Sequence, residues 1–153
     1  MMTPESTTLE QLRRTRQPRP RERMGRLVLA EDDAEMRHLL ASALREDQYE
    51  VVEVADGRDL LDRLDAFIRR GDPVDLVITD VRMPRISGLQ ALRFLKQAGF
   101  RAPVILITAF GDHGTHVDAC LLGAEAVLDK PFELDELRTA IRKIRSRRSV
   151  EDQ

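Results

Sequence analysis

The sequence contains no tryptophan, one tyrosine and one cysteine, Cys120, among its 153 residues. A lone cysteine rules out an internal disulfide bond and suits a reducing compartment such as the cytoplasm. No apolar run approaches the roughly 20 residues that a membrane-spanning helix needs, and no apolar signal core follows the N-terminus. These absences exclude disulfide-stapled and membrane-spanning proteins, and we expect a cytoplasmic domain with no membrane partner.

The net charge of -2 hides an uneven distribution along the chain. Residues 1–25 carry six Arg against three Glu, and residues 138–148 carry six basic residues and no acid. The body between them has 13 basic and 22 acidic residues. Basic ends could contact nucleic acid, but no aromatic residues alternate with the arginines and no recognition helix accompanies them. Direct nucleic-acid binding is therefore not expected, and the basic segments are interpreted as solvated faces or tails.

A change in composition near Met24 predicts where the folded part begins. Residues 1–24 are predicted to form a disordered basic arm, because two prolines lie among dense arginines without apolar periodicity. The folded domain is expected over residues 25–147, followed by a flexible tail over 148–153. The stretch MGRLVLAEDD would itself make a natural protein start. The arm is therefore either an upstream mis-start or a flexible part of the protein.

Short apolar segments alternate with amphipathic ones through the rest of the chain. Five segments are predicted as buried strands: 26–30, 51–54, 74–79, 103–108 and 126–129. Each is followed by apolar residues at helical spacing, as in Met36, Leu39, Leu40 and Leu44. The stripe formed by Val117, Leu121 and Leu122 is the weakest. Strict strand–helix alternation predicts an α/β fold with a parallel sheet between two helix layers.

Polar residues stand at the ends of four predicted strands, at the sheet edge where such folds bind ligands. They are Glu31, Asp32, Asp33, Asp80, Thr108 and Lys130. Each has an ordinary structural explanation, such as helix capping by Asp32 or Asp33, or a turn before a proline at Asp80. Capping and β-propensity do not require several acids, a hydroxyl and an amine to converge on one edge. The combination therefore indicates a functional site.

Such a set of side chains favours phosphoryl chemistry. Two or three carboxylates with space for water make a hard-oxygen site for Mg²⁺. A carboxylate beside the ion can attack a phosphoryl group and form an aspartyl-phosphate. The Lys130 ammonium can pair with a phosphoryl oxygen, and the Thr108 hydroxyl can donate a hydrogen bond. This chemistry explains why a buried strand would end on an acid.

Together, the motifs EDD (31–33), DVRMP (80–84), TA (108–109) and DKPF (129–132) resemble the receiver domain of two-component response regulators. The resemblance covers about residues 26–146. It implies a flavodoxin-like, doubly wound (βα)5 fold whose five-stranded parallel sheet has the order 2-1-3-4-5. It also implies a phosphorylation-activated switch rather than an enzyme. The partners would be a sensor histidine kinase or phosphotransfer protein and a downstream effector protein, with a phosphorylation-dependent homodimer also allowed.

Carried over position by position, the resemblance implies that Asp80 is the phosphoacceptor. Mg²⁺ would be held by four residues, the last through its backbone carbonyl: Glu31, Asp32, Asp80 and Arg82. Thr108 would contact the phosphoryl group and shift on activation, and Lys130 would pair with it. The Lys130–Pro131 bond is expected to be cis, as in the family. Asp33 is left to cap the first helix.

Val127 departs from the family pattern, which commonly has Tyr or Phe three residues before the lysine. The phosphorylation chemistry does not depend on this position, but the route from the site to the surface does. The output face is expected over residues 113–147, where the arginine-rich last helix would meet an acidic partner.

The three remaining candidate residues are His38, His116 and Cys120. His38 lies off the apolar stripe of its helix and is expected to be solvated. His116 and Cys120 could form half a metal site, but no further ligand completes it. Cys120 is therefore interpreted as a small core residue.

Two other functions remain as alternatives. An aspartate-nucleophile phosphohydrolase would usually carry a general acid two residues after the nucleophile, where this chain has Arg82, and no cap insertion is present. The second alternative is a receiver fragment of a longer DNA-binding regulator. After the fifth helix this sequence leaves no room for a helix-turn-helix module. If the chain is complete, its output is expected to pass through a partner protein.

Overall fold

The computed structural model of the chain describes residues 24–109 and 112–151. The predicted N-terminal arm lies outside the described residues apart from Met24, as do residues 152 and 153 of the predicted tail. Within the described part, none of the helices combines the length and the hydropathy that crossing a bilayer requires.

Five strands alternate with five helices in the described part of the chain. The strands are β1 (Gly25–Ala30), β2 (Tyr49–Val54), β3 (Leu76–Asp80), β4 (Val104–Ala109) and β5 (Ala126–Lys130). The helices are α1 (Ala34–Glu46), α2 (Gly57–Arg70), α3 (Gly88–Gln97), α4 (His113–Leu121) and α5 (Leu134–Glu151). All strands run parallel in one sheet of order β2-β1-β3-β4-β5. The predicted flavodoxin-like (βα)5 fold with strand order 2-1-3-4-5 is confirmed.

The strand order reverses at β1, and this reversal positions the site. β1 pairs with β2 on one side and with β3 on the other, with Leu27 opposite both Val51 and Leu76. The chain therefore leaves β1 toward one edge of the sheet and later continues toward the other. In parallel sheets this geometry opens a crevice at the carboxyl ends of the two central strands. Here those strands are β1 and β3.

Alternate residues of the central strands fill two separate core layers. Leu27 and Leu29 of β1 face the layer formed with α1 and α5. Val28 and Ala30 face the opposite layer, formed with residues of α2, α3 and α4. All four side chains are fully buried. Because β1 is packed on both faces, its carboxyl end is a rigid support for the residues that follow.

The last helix is longer than the sequence predicted. α5 continues to Glu151, so residues 148–151 extend the helix instead of starting a flexible tail. Arg148 fixes this end: its Nη2 donates to the Arg101 carbonyl at 2.8 Å and to a Glu125 carboxylate oxygen at 3.2 Å. The helix therefore continues past residue 147, where the domain was predicted to end.

Some predictions about buried residues are wrong. Leu39, expected on the apolar stripe of α1, is 71% exposed, and two further predictions fail in α4. Cys120 is exposed rather than part of the core. Val117 and Leu121, expected on the buried stripe, are 47% and 81% exposed. The buried residue of this short helix is Ala119. α4 therefore rests on the sheet through a small contact and presents apolar side chains outward.

Candidate functional site

β1 and β3 bring two carboxylates into the crevice between them. Glu31 follows the last residue of β1 and is fully buried, and Asp80 is the last residue of β3 and is 5% exposed. Asp32, next along the chain, is exposed. One carboxylate oxygen from each of the three lies within 4.8 Å of the others. We call Glu31, Asp32 and Asp80 the acidic cluster.

Lys130 supplies the positive charge that faces the two buried acids. It is the last residue of β5, and its Nζ donates to Glu31 Oε1 at 2.8 Å and to Asp80 Oδ2 at 2.5 Å. One ammonium thus donates hydrogen bonds to two buried carboxylates, and Asp32 adds a third negative charge. The formal charge of the four side chains is about -2 when all are ionised. This excess favours binding of a cation.

Burial raises the pKa of Glu31 to about 7, and the Lys130 hydrogen bond only partly opposes this effect. Burial lowers the pKa of Lys130, but its hydrogen bonds to Asp80 and Glu31 outweigh burial and leave the pKa above its ordinary value. The folded protein therefore holds a proton on Glu31 more tightly than the unfolded chain does. That contribution to stability is fully present below about pH 4.5 and is lost as the pH rises through about 7.

The loop after β3 fixes Asp80 from the other side. The Arg82 N–H donates to Asp80 Oδ1 at 3.0 Å, and the Gly88 N–H donates to the Val81 carbonyl at 2.8 Å. A Cβ atom on Gly88 would lie 2.3 Å from the Asp80 carbonyl oxygen. Only glycine lets α3 begin this close to the strand end. A cavity of about 450 Å³, lined by Asp32 and Arg82 among others, opens beside the loop that follows Asp80. Another open cavity, of about 510 Å³, lies farther along the same end of the sheet.

Thr108 occupies the same edge on the neighbouring strand. β4 pairs with β3 so that Ile107 lies opposite Asp80, which places Thr108 one residue beyond that pair. Thr108 is 2% exposed and lies opposite Asp129, the residue before Lys130. The Lys130–Pro131 bond is cis, as predicted. The hydroxyl, the ammonium and the acidic cluster therefore share one end of the sheet.

The other candidates do not join this site. Asp33 caps α1, its side chain accepting from the Met36 N–H at 3.1 Å. His38 is largely exposed, as expected, and contacts Glu53 at 2.9 Å. His116 contacts Asp129 at 2.6 Å. Among the described residues, the acidic cluster is the group of His, Cys, Asp and Glu residues with the geometry to hold a metal ion.

Sequence reasoning missed Arg37. Its Nη1 donates to the Glu31 carbonyl at 2.7 Å, directly behind the acidic cluster. The available signal was a basic residue in the fourth position of a helix that begins just after the acidic motif. The contact depends on a side-chain conformation that helical spacing does not specify.

Comparison with known proteins agrees with this arrangement. The family model described as the response regulator receiver domain matches residues 27–142. The transcriptional regulatory protein CpxR of Escherichia coli is 37% identical over 121 residues, which are 79% of this chain and 49% of CpxR. The response regulator MprA of Mycolicibacterium vanbaalenii is 33% identical over 127 residues, 83% of this chain and 53% of MprA. The chain thus spans about half the length of these curated relatives.

Solved structures show the same likeness. A response regulator receiver domain protein from Clostridium thermocellum is 27% identical with a TM-score of 0.72, covering 83% of this chain and 98% of that one. The response regulator TrrA of Thermotoga maritima, solved in complex with Mg(2+)-BeF, is 29% identical with a TM-score of 0.68, covering 78% and 98%. The fold, the acidic cluster and the family match agree: this chain belongs to the response regulator receiver domain family of two-component signalling.

Proposed function

We propose that Asp80 accepts a phosphoryl group from a sensor histidine kinase or phosphotransfer protein in a Mg²⁺-dependent reaction in the cytoplasm. The observation that carries the proposal is the buried Asp80 carboxylate, paired with Lys130 at 2.5 Å inside the acidic cluster. Membership of the family makes the chain a phosphoacceptor signalling domain rather than an enzyme with a separate substrate. Phosphorylation of Asp80 would then change its contacts with an effector protein.

The donor set of the acidic cluster fits Mg²⁺. The cluster offers three hard carboxylate oxygens within 4.8 Å of one another, with one ammonium to balance them. Glu31, Asp32, Asp80 and the backbone carbonyl of Arg82 are the groups that would hold the ion. When bound, Mg²⁺ would neutralise negative charge on the transferring phosphoryl group and orient it. TrrA, a similar response regulator, was solved in complex with Mg(2+)-BeF, which supports Mg²⁺ as the ion.

The protein's own residues have separate parts in the proposed transfer. A carboxylate oxygen of Asp80 forms a bond to phosphorus while the bond from phosphorus to the donor imidazole breaks. Lys130 Nζ, already beside Asp80 Oδ2, pairs with a phosphoryl oxygen. Thr108 would donate its hydroxyl hydrogen to another phosphoryl oxygen. The Arg82 N–H keeps the Asp80 carboxylate oriented throughout.

Incubation with acetyl phosphate and Mg²⁺ is expected to add one phosphate per chain, measured by intact-mass spectrometry. Asp80 is the aspartate of the acidic cluster that is paired with Lys130 and oriented by the Arg82 N–H, so a second addition is not expected. Chelating the metal with EDTA should abolish the addition, because the excess negative charge of the acidic cluster would repel the incoming phosphoryl group. Labelling that is undiminished in EDTA would contradict the proposal.

Replacing Asp32 by alanine is expected to raise the metal-free melting temperature by a few degrees while weakening Mg²⁺ binding at least about tenfold. Without metal, the Asp32 charge repels Glu31 and Asp80 within the acidic cluster. With metal, the same carboxylate is a ligand. Thermal melts in EDTA and Mg²⁺ titrations by calorimetry measure the two effects. Wild-type Mg²⁺ affinity in the Asp32→Ala variant would show that this residue is not a ligand.

A second candidate concerns the output. The matched segment is only about half of each of these curated relatives, and CpxR is named a transcriptional regulatory protein. The receiver could therefore regulate a DNA-binding module in the same polypeptide instead of a separate effector. The intact length of the native gene product, measured by immunoblotting or top-down mass spectrometry, distinguishes these two outputs.

A further inference from the structure

We infer that Arg37 is a positioning residue for the Glu31 carboxylate, an inference that rests on the proposed function of the acidic cluster. β1 ends at Ala30, so Glu31 is the first residue after the strand. Its N–H donates to the Val54 carbonyl of β2 at 3.1 Å, whereas its carbonyl accepts from Arg37 Nη1 at 2.7 Å. An acceptor on one side and a donor on the other thus fix the backbone of Glu31.

Arg37 is itself held from two directions. Its backbone N–H donates to the Asp33 carbonyl at 2.9 Å in the first turn of α1. Its Nε lies 3.7 Å from a Glu53 carboxylate oxygen on β2, and its side chain is only 15% exposed. Glu53 is also largely buried and contacts His38 at 2.9 Å and Arg45 at 3.1 Å. The guanidinium therefore bridges Glu53 of β2 and the backbone of Glu31, just after β1.

This bridge matters because the proposed ligand set has little tolerance for displacement. Mg²⁺ requires short oxygen distances and near-octahedral geometry. A hydrogen bond from a charged donor is about twice as strong as a neutral one, and a buried carbonyl left without a donor is costly. Loss of Arg37 would let the Glu31 peptide rotate to find another donor. The Glu31 carboxylate would then leave its place beside Asp80 and Lys130.

A purely structural role for Arg37, tying α1 to β2, is the competing explanation. Arg45 offers a matched control because it shares that role without touching Glu31. Its Nη2 contacts the same Glu53 at 3.1 Å and donates to the Val51 carbonyl at 2.9 Å. If the network only attaches the helix, removing either arginine would have the same effect on the metal site.

The test compares Mg²⁺ dissociation constants and melting temperatures of the full chain and its Arg37→Gln, Arg37→Lys and Arg45→Gln variants. Outer-sphere partners of metal ligands typically change affinity by about 10–100-fold. Arg37→Gln is expected to weaken Mg²⁺ binding about tenfold, and Arg37→Lys, which keeps a charged donor, to restore part of it. Arg45→Gln is expected to lower the melting temperature while leaving the dissociation constant within about twofold of wild type. Amide NMR titration reports both folding and binding.

Three results would overturn the inference. Wild-type Mg²⁺ affinity in Arg37→Gln would show that the contact does not position Glu31. Equal weakening of Mg²⁺ binding in Arg37→Gln and Arg45→Gln would show that the effect comes from the attachment of α1. An Arg37→Lys variant that binds Mg²⁺ as weakly as Arg37→Gln would show that a charged donor at this position does not position Glu31. Failure of the wild-type chain to bind Mg²⁺ would instead remove the proposed function, and the inference with it.

Discussion

Asp80→Asn is expected to take up no phosphate under conditions in which the wild-type chain takes up one. An amide oxygen is a far weaker nucleophile than a carboxylate, and the amide also removes a negative charge that would help to bind Mg²⁺. The substitution preserves shape, and Lys130 keeps its 2.8 Å hydrogen bond to Glu31. Loss of phosphate uptake would therefore not come from loss of the fold. Intact-mass spectrometry after reaction with acetyl phosphate measures the difference.

Asp33→Asn is the matched control for this substitution. Asp33 is another acid at the same end of the sheet, but its side chain caps α1 and lies outside the acidic cluster. Asparagine caps helices as well as aspartate does, so stability should be unchanged. This variant is expected to be phosphorylated at the wild-type rate. Full labelling of Asp80→Asn, or equal loss of labelling in both variants, would contradict the assignment of Asp80.

Lys130→Met is expected to slow phosphorylation by roughly 10²-fold or more, while Mg²⁺ binding stays as tight as in the wild type or becomes tighter. Removing one preorganised group that stabilises transition-state charge typically costs about 10²–10³-fold in rate. Lys130 also competes with a metal ion for oxygens of Glu31 and Asp80. Its removal should therefore separate the two properties. Phosphorylation time courses and calorimetric Mg²⁺ titrations measure them independently.

Lys130→Arg is the companion variant, because it keeps the charge but changes the shape of the donor. It should be phosphorylated faster than Lys130→Met if charge is the main contribution. Circular dichroism is needed to check that both variants fold, since Lys130→Met leaves two buried acids without their partner. A normal phosphorylation rate in Lys130→Met would show that the ammonium has no part in the transfer.

The ends of the strands could be predicted from sequence because they depend on local patterns. Short, mostly apolar segments of four to six residues define the predicted strands, and parallel strands place their carboxyl ends at one edge. The predicted strand over 26–30 corresponds to β1 (Gly25–Ala30), and that over 103–108 to β4 (Val104–Ala109). The acidic cluster and Lys130 then follow from the residue types that stand at those ends. What the sequence did not specify is which oxygens Lys130 contacts.

Contacts between distant segments were the part that sequence patterns could not supply. The arginines of α5 were expected to meet an acidic partner, but three of them contact segments of the chain far from this helix. Arg138 forms a paired contact with Asp47, Arg145 donates to the Met24 carbonyl and the Tyr49 hydroxyl, and Arg148 contacts Glu125. Helical periodicity places a side chain on a face of the helix but does not identify its partner. The basic surface that α5 offers to an acidic effector is therefore smaller than the sequence suggested.

Sequence patterns also did not indicate the contacts that connect α4 to the strand carrying Lys130. Val127, at the position where the family commonly has an aromatic ring, is partly buried against the core layer of α2, α3 and α4. His116 connects α4 to β5 through Asp129, the residue that precedes Lys130. Neither periodicity nor motif spacing indicated this link, because the two residues lie 13 positions apart in different elements.

The most direct measurement of the central claim is chemical trapping of the phosphorylated residue. Borohydride reduces an acyl phosphate to an alcohol, so a phosphorylated aspartate becomes homoserine, which peptide mass spectrometry locates. After reaction with acetyl phosphate and Mg²⁺ followed by reduction, we expect homoserine in place of Asp80. All other aspartates, including Asp32 and Asp33, should remain unchanged. Homoserine at another aspartate, with Asp80 unchanged, would contradict the assignment of Asp80 as the phosphoacceptor.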